Sequence, residues 1–253
     1  MSPENVTGGL RPCDSHEVSQ LNELKYDIDI LREIQHIKDI NAILMFEQMP
    51  IIGGFTGTVE ATAVVDVATT MASFCLLGGG TYHLDGPIHV RWGTTTARET
   101  CQVAGHCGLA HDRNTPFMLA NQYYTLAGPC TDYVILELAT QSITDTASGR
   151  ELKSGVAAAK GVALDYTTGI EARAMGEVSI ATCKLNTPKA NEVLNSVLAA
   201  HESVEKYKTA PKGKTFQQCY DVETVLPSDE WLNAYAKGMK KLEECGLPLK
   251  GIW

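Results

Sequence analysis

Short apolar runs recur between stretches of helical periodicity, and each run ends in polar side chains. Residues 42–46 (Ala-Ile-Leu-Met-Phe) end in Glu47-Gln48, and residues 117–120 (Phe-Met-Leu-Ala) end in Asn121-Gln122-Tyr123-Tyr124. Runs of this length, followed by Gly53-Gly54 and Gly128-Pro129, read as buried strands. Residues 82–90, broken at Gly86-Pro87, read as a further strand, and a short one is expected around 155–159. Between them, 58–77, 95–110 and 131–143 read as helices. Such alternation demands parallel strands joined by helical crossovers, an α/β fold. In a parallel barrel, side chains at the C-terminal strand ends line the mouth. Glu47 from one strand end would then meet Gln122 and Tyr124 from another, while Tyr123, alternating with them, would pack.

The first forty residues are read differently. Asp14 followed by Glu17 resembles a capping box. Val18, Leu21, Leu24, Ile28, Leu31 and Ile34 recur at steps of three and four, which predicts a helix. On that reading the chain opens on an irregular lead-in (1–13) and a helix, with no strand before it. Three strands and a doubtful fourth fall short of the eight of a (β/α)8 barrel. Two architectures remain: the C-terminal half of a TIM-type barrel, or a complete smaller α/β fold. Residues 170–185, 188–207 and 228–245 read as three C-terminal helices. The expected organisation is one domain over 1–253, with βα units in 14–165 and helices in 166–253.

A net charge of −9 argues against a nucleic-acid binder and against docking on an anionic membrane. No apolar stretch approaches the ~20 residues of a membrane span, and no basic segment precedes an apolar one at the start. A cytoplasmic protein is expected. The eight cysteines contain no C-x-x-C pair, and free, packed thiols are expected. Cys101, His106, Cys107 and His111 cluster on one predicted helix. Cys107 and His111 could share a metal ion with an outside ligand, or simply pack. His83, His89 and Asp85 could line the mouth or be ordinary turn residues.

Longer blocks carry a resemblance. Asp14-Ser15-His16-Glu17-Val18-Ser19-Gln20-Leu21-Asn22-Glu23-Leu24-Lys25, Glu47-Gln48-Met49-Pro50-Ile51, His83-Leu84-Asp85-Gly86-Pro87, Arg91-Trp92-Gly93 and Asn121-Gln122-Tyr123-Tyr124 resemble the monomethylamine:corrinoid methyltransferases of methanogens. Residues 127–131, 141–151, Gly213-Lys214-Thr215-Phe216 and Cys219-Tyr220-Asp221-Val222 extend the resemblance over nearly the whole chain. It implies a TIM barrel of which this is the C-terminal part. Family members carry pyrrolysine a short distance before the stretch matching Gly8-Gly9; that residue is absent here, so Met1 is expected to be a start assigned after an amber codon read as a stop.

By the same resemblance, methylamine adds to the pyrrolysine imine, and its methyl group passes to the Co(I) corrinoid of a separate protein with release of ammonia. Glu47 would be the acid/base, Glu17 a second carboxylate handling protons or ammonium, and Gln122 and Tyr124 the groups orienting the amine. No cofactor or metal is expected on this chain itself. Its partners would be the cognate corrinoid protein, monomethylamine and further copies of itself (a hexamer). The alternatives are a methyltransferase of the trimethylamine or glycine betaine type, and a non-catalytic C-terminal interaction fragment.

Overall fold

The computed structural model describes residues 13–20, 24–78 and 80–251. Its centre is a five-stranded sheet of β1 (Ser15–Ser19), β2 (Ile43–Gln48), β4 (His83–Asp85), β6 (Leu119–Tyr124) and β7 (Ser154–Ala157), all parallel, each strand beside the next in the chain. The order never reverses. Right-handed crossovers therefore place every connecting helix on the same face of the sheet, as in a barrel and unlike a doubly wound fold. The connecting helices are α1 (Ile28–Asp39), α2 (Val59–Cys75), α3 (Arg98–Asn114) and α4 (Asp132–Ala147). The barrel-type α/β fold expected from sequence is what the chain forms. β3 (Ile51–Ile52) and β5 (Ile88–His89) extend the loops after β2 and β4 as a small parallel pair.

Beyond β7 come α5 (Gly169–Thr182), α6 (Thr187–His201), α7 (Val204–Lys208), α8 (Phe216–Cys219), the hairpin of β8 (Tyr220–Asp221) and β9 (Leu226–Pro227), and α9 (Asp229–Glu244). α4, α5, α6 and α9 share the main core, which holds Ile135, Leu138, Val178, Val197 and the fully buried Trp231. The Trp231 indole N–H donates to Thr168 Oγ1 at 2.9 Å, so the large ring leaves no unpaired donor. Gly238 is required here, because a Cβ on it would come 2.7 Å from Ile135 of α4.

Three expectations are corrected. Residues 15–19 form a strand and not the start of a helix, so Glu17 is no capping residue. The first described helix starts at Ile28, where Asp27 accepts from the amides of Asp29 and Ile30. Of the residues assigned to one helical stripe, Ile34 is buried on α1, Ile28 and Leu31 are exposed, and Val18 belongs to β1. Pairing over five positions with β2 decides the matter; a tertiary ladder outweighs a local capping pattern. Hence the sheet has five strands rather than three and a doubtful fourth. Lastly, the helix predicted over 188–207 divides at Glu202, and Ser203 caps a separate α7. The lead-in 1–12 and Gly8-Gly9 lie outside the described residues.

Candidate active site

Alternation along the strands sorts the sheet's side chains into two sets. Val18, Leu44 and Phe46 pack with Ile34 and Ile37 of α1, which marks that parity as the helix-facing one. His83 meets Thr70 of α2, and Tyr123 meets Asp145 of α4, on the same side. The opposite face, which is the lumen side of a barrel, carries Glu17 and Ser19 of β1, Glu47 of β2, Leu84 of β4, and Gln122 and Tyr124 of β6. The structure thus brings the four residues singled out from sequence onto one face of the sheet. Tyr123 is fully buried on the other.

The register fixes the details. Ser19 lies directly across from Glu47, and its hydroxyl donates to Glu47 Oε2 at 3.0 Å. Glu17, two residues earlier, is the diagonal neighbour and is hydrogen-bonded carboxyl to carboxyl with Glu47. Such a bond exists only if the two groups share a proton. The hydrogen bond to Glu47, with burial and the Glu47 charge adding to it, raises the pKa of Glu17 to about 7. Tyr124 is hydrogen-bonded to Gln122; burial first, then the charges of Glu47 and Glu17, push its phenol above the ordinary tyrosine value. Gln122 Oε1 also accepts from Ser154 of β7 at 3.4 Å. Tyr82, just before β4, feels the Glu17 charge as well, although burial is the larger cause of its upward shift.

Two glycines make room for these groups. A Cβ on Gly86 would stand 3.1 Å from the Gln122 Cβ, and one on Gly161 would stand 2.6 Å from Tyr124 Cε1. Gly161 also has φ +66°, where a side chain is strained. The loops after β4 and β7 are therefore moulded around the amide and the phenol.

Other residues marked in the sequence do not join this face. Asp85 is fully buried on the helical side, bonded to Arg150 Nη1 at 2.7 Å and accepting from Cys107 Sγ at 3.6 Å. Arg150 also donates to the carbonyls of Ala120 (3.2 Å) and Ala104 (3.0 Å) and lies 3.5 Å from Asp145. Sequence reasoning missed this network, whose members are scattered from Asp66 to Arg150. His83 Nδ1 bonds Thr70 at 2.9 Å, and burial lowers its pKa to about 3, so it is a neutral core histidine.

Cys107 and His111 share no third ligand: His111 Nδ1 bonds Thr115 instead. The set whose donor atoms do come together, within 4.8 Å, is Asp66, Asp85 and Cys107. It sits in the helical layer, where burial and the Asp85 charge push Asp66 well up towards its neutral form and Arg150 already supplies the counter-charge to Asp85. Burial likewise pushes the Cys101 thiol up to about 12, which leaves it unreactive. A cavity of about 330 Å³ between α3, α4 and α6, walled by Leu109, Ile143 and Leu194, is apolar and lies away from the carboxylates. Among the described residues no helix is long and apolar enough to cross a membrane.

Parallel strands in barrel order, with helices on one face and paired carboxylates, an amide and a phenol on the other, define part of a TIM-type barrel. The particular family follows from comparison with known proteins. The family model for monomethylamine methyltransferase MtmB matches residues 2–247, and the chain belongs to that family. It is 51% identical to the monomethylamine methyltransferase MtmB of Methanosarcina mazei over 240 residues, 95% of this chain and 52% of that protein. The Methanosarcina barkeri MtmB1 is 51% identical over 243 residues, again 52% of its length. The crystal structure of Methanosarcina barkeri MtmB superposes with a TM-score of 0.91, as does that of a hydroxylamine complex of MtmB. The chain spans about half the length of the curated relatives it matches.

Proposed function

We propose that this chain supplies the carboxylate-bearing half of a methyltransferase barrel that moves the methyl group of monomethylamine to the Co(I) corrinoid of a partner protein. The observation that carries the reading is the Glu17–Glu47 pair facing the lumen beside Gln122 and Tyr124. The substrate is a small cation when protonated, and two carboxylates sharing a proton hold both a negative charge and an acid for it. Nitrogen leaves readily only while it keeps positive charge, so Glu47 acts as acid/base to the amine nitrogen. Glu17 exchanges the proton with Glu47 and receives ammonium. The amide of Gln122 and the hydroxyl of Tyr124 fix the direction of the C–N bond, since alignment alone contributes several kcal/mol to such transfers.

The rest of the barrel and its pyrrolysine lie, on this proposal, in a segment outside this sequence. The lumen face fits that electrophile, because a carboxylic acid beside an imine nitrogen is what its protonation needs; bound there, the imine supplies the carbon that holds the amine. Membership of the monomethylamine family favours this substrate over trimethylamine or glycine betaine. The test is the cobalt spectrum. Full-length protein with monomethylamine should convert Co(I) corrinoid protein to the methyl-Co(III) form, whereas this 253-residue chain alone should not. Glu47→Gln should lower kcat by about 10²–10⁴-fold. Methyl transfer by the short chain, or an unaffected Glu47→Gln variant, would overturn the reading.

A further inference from the structure

Glu17 and Glu47 share a proton, but nothing in a bare carboxyl pair decides which of the two carries it. Glu17 is exposed and Glu47 half-buried, and the two side chains also differ in their hydrogen-bond donors. Glu47 Oε2 accepts from the Ser19 hydroxyl at 3.0 Å, whereas Glu17 is bonded to Glu47 itself. A hydroxyl donor favours the ionised form of the carboxyl it touches. The donor is also held in place. Gln20, the next residue, donates from its backbone to Glu47 O at 2.8 Å, and its buried side chain donates to Ser73 of α2 at 2.6 Å and accepts from Tyr26 at 2.8 Å. The end of β1 is pinned against β2 and α2, with Ser19 opposite Glu47 in the register.

We propose that Ser19 is a positioning residue that polarises the carboxyl pair, fixing the negative charge on Glu47 and the proton on Glu17. This rests on the reading of Glu17 and Glu47 as the proton-handling pair. The groups around it are Glu17 and Ser19 from β1, Tyr82 ahead of β4, and Gln122 and Tyr124 from β6. None of these is cationic, and Ser19 supplies the hydroxyl donor that Glu47 accepts from. The chemical consequence is a division of labour: Glu47 meets the substrate as an anion that attracts the cationic amine, and the proton for the departing nitrogen is relayed from Glu17 through Glu47. The relay conserves charge: Glu47 accepts the proton of Glu17, passes it to nitrogen and returns to its anionic form, leaving Glu17 ionised.

Two measurements on the full-length protein test this, one of which needs no catalysis. With glutamate carboxyls labelled with ¹³C, the wild-type Glu17 signal should titrate in one step near neutrality. In Ser19→Ala that curve should become biphasic, the mark of a proton shared between like groups. Ser19→Thr, which keeps the hydroxyl, should restore the wild-type curve. In the second measurement, the acid limb of the kcat/KM profile should move up by about one pH unit in Ser19→Ala, as expected on losing a hydrogen bond to a charged group, and return in Ser19→Thr. Superposable titration curves in wild type and Ser19→Ala, or a biphasic curve already in wild type, would overturn the proposal. An inactive enzyme with the expected titrations would instead sink the assignment of function and leave the polarised pair standing.

Discussion

The two faces of the sheet carry similar residue types and use them in opposite ways. On the helical side, Asp85, Asp145, Asn121, Tyr123 and Arg150 are fully buried, and Asp145 alone accepts from Tyr123 at 2.7 Å and Asn121 at 2.8 Å. There the negative charges face a guanidinium. On the lumen side, Glu17 and Glu47 face each other with a hydroxyl, a phenol and an amide around them, and no cation in that group. A carboxylate opposite an arginine serves architecture, although burial still raises Asp85 to about 6, whereas a carboxylate opposite its like holds a proton near neutrality and can exchange it. Composition does not distinguish the two sets; the parity of a residue along its strand does.

The largest effect should come from breaking the helical-side network. Arg150→Met removes a side chain that reaches β4, β6, α3 and α4 at once, and leaves Asp85 and Asp145 buried without their counter-ion. Loss of one partner of a buried pair costs about 3–5 kcal/mol, readable as a fall in the urea midpoint of the full-length protein. A change below about 1 kcal/mol would mean that the network is not structural.

A smaller effect concerns pH. Glu137 of α4 is fully buried, accepts from the amides of Leu126 and Ala127 and from Thr96, and burial raises its pKa to about 7. A carboxyl whose folded pKa is raised binds its proton more tightly folded than unfolded. Its contribution is therefore best below the unfolded value near 4.5 and declines as pH rises towards about 7. The buried His83 and His201, lowered to about 3, work in the opposite direction over part of that range. Comparing wild type with Glu137→Gln isolates the one group. The stability of wild type relative to the variant should fall between pH 5 and 7, with the slope vanishing above about pH 8. A pH-independent difference would show Glu137 ionised throughout.

The smallest effect sharpens the contrast. Glu47→Gln should change stability by no more than about 0.5 kcal/mol, because it lies on the open face and removes a like-charge neighbour of Glu17. A loss as large as that of Arg150→Met would erase the distinction between the two faces.

The lumen residues were legible because β2 and β6 announce themselves as apolar runs that stop at polar side chains. β1 was not. Of Ser15-His16-Glu17-Val18-Ser19 only Val18 enters the apolar core, since the other parity carries the polar lumen side chains, and an edge strand with one apolar residue gives no two-residue hydrophobic period. With β1 read as a helix, Ser19 had no register and could not be placed opposite Glu47. The Arg150 network stayed hidden for another reason. Asp66, Asp85, Cys107, Asp145 and Arg150 are scattered through the sequence with no shared spacing, and only the crossovers bring them together. α9 was legible over its whole length and α6 as far as its end at His201.

Arg150 also sets an order of events in folding. Apart from Asp145, its partners come from residues 30 to 65 positions earlier in the chain, so its full set of contacts cannot form until β4, α3, β6 and α4 have docked on one another. Interactions absent from a folding transition state act on the rate of escape from the native state rather than on the rate of folding. The guanidinium at the centre of the helical layer is a latch in that sense: one side chain closed on four elements, which no single element can engage before the others are in place.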